Sequence, residues 1–359
     1  MSRLALAGRQ QDIQLFIRRL ARRYRGSLPE VSAGLTTLLH ELPSRSSPLR
    51  GEAVAPIPVD MDTRLQLVRY EAAPHLDVEP IYSPVIWEAL RQLVSERRNQ
   101  GLLEDAGLVP TRTALFTGPP GVGKSLAVRW LARELSLPVL MLDLAAVMSS
   151  FLGRTGTNVR RILDYAKQVD CILLIDELDA VAKRRDDTTE IGELKRLVTV
   201  LLQEVDDWPA GALLVAATNH PGLLDPAVWR RFELKVEFPM PNAEAVREAV
   251  RNFMGPDGNM LAKWDALLAT TFTGTSYSEI ELSMNRARKA AVLNGGDIEP
   301  HLQALVSERA ASLPHEDRVA LAVALVSNGA SQRRAHELTG LARETIRKAT
   351  TCRNTTEGG

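Results

Sequence analysis

The chain has 359 residues, enough for two or three folding units at roughly 150 residues each. Hydrophobic residues make up 45% and charged residues 25%, which excludes disordered, collagenous and low-complexity classes. The 44 Lys and Arg cancel the 44 Asp and Glu, which argues against a general polyanion binder but leaves room for a local basic patch.

The first thirty residues carry Arg3, Arg9, Arg18, Arg19, Arg22, Arg23 and Arg25 against only Asp12 and Glu30. Ile13, Phe16, Ile17 and Leu20 fall on one helical stripe, so a helix is expected here. It packs on its own domain or docks on a partner or acidic surface, and its composition also resembles a mitochondrial presequence. Arginines interrupt every apolar stretch, so it is not a secretory signal. Residues 43–58, rich in Pro and Ser, read as a linker. From Thr111 to Phe238 the apolar runs TALFTG, PVLMLD, CILLIDE, ALLVAATN and LKVEF alternate with helical patterns. That alternation predicts an α/β unit whose parallel sheet is buried on both faces. Beyond Pro239 and Pro241 the pattern is wholly helical. The expected division is 1–58 for the helix and linker, 59–240 for the α/β core, 241–312 for a first helical region and 313–359 for a second. Two cysteines, Cys171 and Cys352, cannot build a disulfide framework, and no Cys/His spacing suits zinc. No apolar run approaches the ~18 residues of a membrane span. A soluble protein of the reducing cytoplasm is the expectation.

Gly118, Pro119, Pro120, Gly121, Val122, Gly123, Lys124 and Ser125 fit G-x-x-x-x-G-K-[ST] between an apolar strand and an amphipathic helix that continues with Leu126. Glycines at these positions let backbone N–H groups converge on phosphate oxygens at a helix N-terminus. Lys124 adds a point charge for the β and γ phosphates of ATP, and Ser125 adds a hydroxyl for Mg²⁺. Asp176 and Glu177 end the apolar run 172–175, at the sheet edge where such folds bind ligands. Asp176 is suited to holding Mg²⁺ through water, and Glu177 to polarising an attacking water.

GPPGVGKS, ILLIDELDA and LLVAATNHPGLLDPAVWRRFE, at their spacing, resemble the AAA family of ATPases within the AAA+ group. The resemblance runs from about Tyr70 to Ala310 and points to its protein-remodelling branch, which includes katanin-like and proteasomal ATPases. It implies an αβα P-loop NTPase core, an α-helical lid, and a homo-oligomeric ring, usually of six. It further implies that Asn219 senses the γ-phosphate, and that Arg230 and Arg231 reach a neighbouring subunit's nucleotide. Many relatives separate these arginines by Pro-Gly, whereas here they are adjacent, so the pattern leaves open which one is the finger. Ser149 to Arg154 resembles the family's central-pore loop, with Phe151 and Leu152 as the residues that grip extended polypeptide. Phe272 to Ile280 resembles the start of a lid helix in the remodelling branch, where no arginine stands as it does in DNA-directed branches. A fused zinc protease is excluded because H-E-x-x-H is absent. The expected activity is ATP hydrolysis coupled to remodelling of a protein substrate, for a separate partner protein or protease. The alternative is a DNA-directed regulator or loader. For that reading Gly340, Leu341 and Ile346 stand where a helix-turn-helix places its turn glycine and apolar residues, with Arg343, Arg347 and Lys348 on the second helix. His336 occupies that motif's usual small position.

Overall fold

The computed structural model of the chain describes residue 31 and residues 68–144, 155–182, 191–255, 262–327 and 330–356. The Arg-rich start, the linker and the segment with Phe151 and Leu152 lie outside the described residues. The described residues group into two compact units. One holds the described chain to Leu76, Pro84–Thr117 and Lys124–Glu237; the other holds Asp77–Ser83, Gly118–Gly123 and the described chain from Phe238.

In chain order the first unit runs β1 (Arg69–Glu71), α1 (Pro84–Arg98), α2 (Gln100–Asp105), β2 (Thr113–Thr117), α3 (Lys124–Leu135), β3 (Val139–Asp143) and α4 (Thr155–Gln168). It continues β4 (Ile172–Asp176), α5 (Asp179–Ala182), α6 (Ile191–Asp206), β5 (Leu213–Thr218), α7 (Pro226–Trp229) and β6 (Leu234–Glu237). The sheet order is β1-β3-β4-β5-β2-β6. β2 to β6, which are the apolar runs read from the sequence, pair in parallel. Their near-continuous apolar character follows from burial on both faces. Leu115, Leu142, Ile175 and Ala216 pack with Val159 and Ile162 of α4 and Leu201 and Val205 of α6. The alternate residues Phe116, Leu174 and Val215, on the opposite face by the period of two, are also fully buried.

β1 was not visible as an apolar run. It is a short antiparallel edge strand, with Tyr70 opposite Leu140. Its ends, Arg69 and Glu71, are charged, as edge strands often are. Glu71 takes a bidentate bond from Arg129 of α3, both contacts at 2.9 Å, and this partner lowers its carboxyl pKa. At the starts of β2 and β5, the Arg97 guanidinium donates to the carbonyls of Thr111, Ala210 and Ala212 at 2.6, 3.0 and 2.8 Å. It thereby ties α1 to the chain entering β2 and β5.

The second unit is helical: α8 (Ala243–Met254), α9 (Ala262–Thr271), α10 (Tyr277–Leu293), α11 (Glu299–Ser312), α12 (His315–Ser327), α13 (Gln332–Thr339) and α14 (Arg343–Thr356). Asn242 caps α8 by accepting from the Ala245 N–H at 2.9 Å, and Ser276 with Glu279 forms a capping box on α10. Phe272, Met284, Leu302, Leu321, Leu338 and Ile346 belong to one core. Among the described residues no helix is long and apolar enough to cross a membrane.

Candidate functional site

Parallel pairing sends β2, β4 and β5 to the same sheet edge, where Asp176 ends β4 and Thr218 ends β5. Lys124, the first residue of α3, is only 6% exposed there. Its Nζ donates to Asn219 Oδ1 at 2.8 Å. Burial pulls the Lys124 pKa below its ordinary value, against the opposing pull of Asp176 and then Asp179. Ser125 Oγ donates to Asp176 Oδ2 at 3.3 Å, so a hydroxyl and a carboxylate stand side by side. Leu126 follows, partly buried on the same helix.

Glu177 is exposed and has a φ of 53°, which a non-glycine residue seldom adopts. Three contacts hold it there. Asp176 Oδ1 accepts its N–H at 2.9 Å, the Leu178 N–H donates to Ala217 O at 3.0 Å, and the Leu178 side chain is 1% exposed. The turn leaves Glu177 exposed at the sheet edge.

Sequence reasoning overlooked Asp179. Its Oδ1 accepts from Thr218 Oγ1 at 2.7 Å and from the Asn219 N–H at 3.3 Å, and so fixes the end of β5 that presents Asn219. The only available signal was a further aspartate three residues after Asp176.

Within the second unit, the loop Gly118–Gly123 has its own supports. Gly121 has φ 76°, and a Cβ there would lie 2.7 Å from Ser276 Oγ, so only glycine fits. The Ser278 N–H donates to Gly121 O at 3.2 Å. The Tyr82 hydroxyl donates to Gly123 O at 2.7 Å, and its ring meets Phe238 edge-on at 5.4 Å. Tyr82 is a second residue that sequence reasoning missed. Burial, and secondarily Tyr277, push its phenol well above the usual range, so it stays a donor. Burial, with Glu248 second, likewise pushes Tyr277 up to about 12. Pro119 is partly buried, Pro120 exposed and Val122 buried.

The donor sets fit nucleotide and metal. Within the second unit the glycine-rich loop suits phosphate oxygens; within the first, the buried Lys124 suits an anion, and the Ser125–Asp176 oxygen pair suits a hard cation such as Mg²⁺.

The structure separates the two arginines. Arg231 is engaged within its own unit, donating to Leu202 O at 3.2 Å and pairing with Asp206 at the end of α6. Arg230 is exposed and makes no ion pair among the described residues.

Two predictions follow from this geometry. Lys124→Ala should abolish binding of a fluorescent ATP analogue, whereas Glu177→Gln should bind it and release phosphate at least ~10²-fold more slowly. Wild-type turnover in Glu177→Gln would remove that residue from the chemistry. Asp179→Ala should lower kcat about tenfold with little change in KM, because it positions Asn219 without touching nucleotide. Asp179→Asn, which keeps the accepting oxygen, should recover most of that loss; failure to recover would show that the negative charge is what matters.

Residues 114–240 match the protein-family profile described as ATPase family associated with various cellular activities (AAA). An uncharacterised AAA family ATPase of Sinorhizobium fredii is 37% identical over 202 residues, covering 56% of this chain and 60% of that protein. A proteasome-activating nucleotidase of Sulfurisphaera tokodaii is 32% identical over 208 residues, 55% of this chain and 52% of the relative. An ATP-dependent zinc metalloprotease FtsH of Lancefieldella parvula is 32% identical over 215 residues, 58% of this chain and 33% of the relative. The similarity thus spans between a third and three fifths of these relatives' length. The phosphate loop, the strand-end acids and Asn219 all lie inside the matched segment, so residues 114–240 are an AAA-family ATPase domain.

Proposed function

We propose that the chain is a cytoplasmic, Mg-ATP-hydrolysing motor that assembles as a homo-oligomeric ring, hexameric by family resemblance alone, and remodels or unfolds a protein substrate. The observation that carries the ATPase part is the convergence of Lys124, Ser125, Asp176 and Asn219 on one sheet edge, with Glu177 turned outward beside them. The remodelling part is supported by relatives named as a proteasome-activating nucleotidase and an ATP-dependent protease. The ATPase core is taken as 59–240, the lid as 241–312 and the tail as 313–359.

In this reading the loop amides from Gly118 to Gly123 and the Lys124 ammonium hold the β and γ phosphates. Ser125 and Asp176 would hold Mg²⁺, which when bound withdraws charge from the phosphate oxygens. Glu177 accepts a proton as the water oxygen bonds to the γ-phosphorus, and the bond to the β,γ-bridging oxygen breaks to give ADP and phosphate. Asn219 holds the water or γ-phosphate oxygen in line. Arg230 supplies charge to a neighbouring subunit's nucleotide, while Arg231 is a strut tied to α6.

Specific activity should therefore rise with protein concentration as rings assemble. Arg230→Ala should cost about 10³-fold or more in kcat and should poison wild type on mixing beyond its share. Arg231→Ala should act mainly through stability. Simple dilution on mixing Arg230→Ala would sink the shared-site reading.

Phe151 and Leu152 are proposed to grip substrate polypeptide in the ring's central pore. Phe151→Ala should then keep most ATP turnover while losing ATP-dependent unfolding of a tagged protein. Equal loss of both would place Phe151 in nucleotide chemistry or in folding instead.

A further inference from the structure

The chain is neutral overall, but its final helices are not. Residues 331–356 hold Arg333, Arg334, Arg343, Arg347, Lys348 and Arg353 against only Glu337 and Glu344. α13 starts at Ser331, which accepts from the Arg334 N–H at 3.2 Å, and ends at Gly340 with φ 67°. The left-handed turn lets α14 begin at Arg343, three residues later. His336, at the position where a small residue was expected, does not obstruct this turn. It is exposed, and its Nδ1 lies 2.6 Å from Leu341 O, closing the turn with a hydrogen bond. Ala335 faces the core instead, fully buried.

Leu338, Leu341 and Ile346 anchor this helix pair in the core of the second unit. The opposite face of α14 presents Arg343, Glu344, Arg347, Lys348 and Thr351, all exposed. Lys348 is paired with Glu344 at 3.0 Å, and Arg333 and Arg334 are paired with Glu337 at 3.1 and 3.3 Å. Arg343 and Arg347, one helical turn apart, make no ion pair among the described residues.

We propose that α13 and α14 form a docking surface for duplex DNA, with α14 in the major groove and Arg343 and Arg347 making its principal contacts. A helix is about 10–12 Å across and the major groove about 12 Å wide, so α14 fits lengthwise. An Arg fork matches phosphate oxygens and the O6 and N7 of guanine. The start of α13, with exposed Gln332 beside its Ser331 cap, lies where the first helix of such a pair meets the backbone. The α14 face has no large apolar residue to insert into a lipid surface, and the major groove of duplex RNA is too narrow to admit a helix. Neither arginine belongs to the nucleotide site, so the proposal does not depend on the ATPase reading.

The test is fluorescence anisotropy of the full chain with a labelled mixed-sequence duplex of about 30 base pairs, from about 50 to 200 mM KCl. Wild type should bind with an affinity that falls steeply with salt. Arg343→Ala with Arg347→Ala should bind at least ~10-fold more weakly, with a log–log salt slope reduced by about two. Arg286→Ala with Lys289→Ala, a basic pair on α10, should bind like wild type. Far-UV circular dichroism checks the fold, and Arg343→Gln with Arg347→Gln is a second pair with the same expectation. Absence of wild-type binding at the lowest salt, wild-type affinity in both tail pairs, or equal weakening in the α10 pair would each overturn the proposal. Tighter capture of polyglutamate than of duplex would overturn it in favour of an acidic protein partner.

Discussion

A lysine that is 6% exposed is costly, because burial strips hydration from its ammonium and little else in a protein interior replaces it. Lys124 meets that cost in part through Asn219 Oδ1 and the fields of Asp176 and Asp179, yet burial still dominates its pKa. The arrangement requires the ends of β4 and β5 and the start of α3 to stay in register, since each supplies one partner. It also sets the ammonium against a neutral amide oxygen, with two carboxylates acting on it through their fields. A phosphate delivers formal negative charge to that position.

The same edge stores strain in a controlled way. A left-handed non-glycine residue costs on the order of 1–3 kcal/mol and persists only where its surroundings over-determine it. Around Glu177 they do. The Leu178 side chain is buried, its N–H is bonded to Ala217, and Asp176 folds back onto the Glu177 N–H. The turn stops β4 abruptly after Asp176, so two successive acids face different tasks. Asp176 points back to Ser125, while Glu177 is thrust outward. Asp179, two residues further on, links this turn to Thr218 and Asn219.

Why the strands were legible and other features were not comes down to where the information resides. β2 to β6 are buried on both faces, so apolar runs such as LLVAAT stand out from any background. β1 is three residues long with charged ends, and it exists because of pairing with β3 and the Arg129–Glu71 bond, which are long-range in sequence. The glycines and Lys124 were readable because phosphate binding demands those residue types at fixed spacing. Tyr82 was not, since its hydroxyl reaches Gly123 across 41 residues and a lone tyrosine has no spacing signature. Two adjacent arginines are equivalent on paper; only the Asp206 and Leu202 partners of Arg231 distinguish them. Likewise no spacing in the sequence reveals that the turn sets Leu341 O against the His336 ring.

Within the second unit, the helices that carry the basic surface share a core with the helix that meets the phosphate loop. Arg309 of α11 lies over the Phe272 ring at 4.9 Å and donates to Thr275 Oγ1 at 2.7 Å. Thr275 precedes Ser276, the cap of α10, and two residues later the Ser278 N–H holds Gly121. Phe272 shares its core with Leu321 of α12, Leu338 of α13 and Ile346 of α14. Close-packed interiors transmit displacement because they have few voids to absorb it. An occupant of α13 and α14 would rest on the same core that carries α10 and its contact with Gly121. Its influence is bounded by thermodynamics: it can alter the loop only by as much as it binds one arrangement of that core better than another.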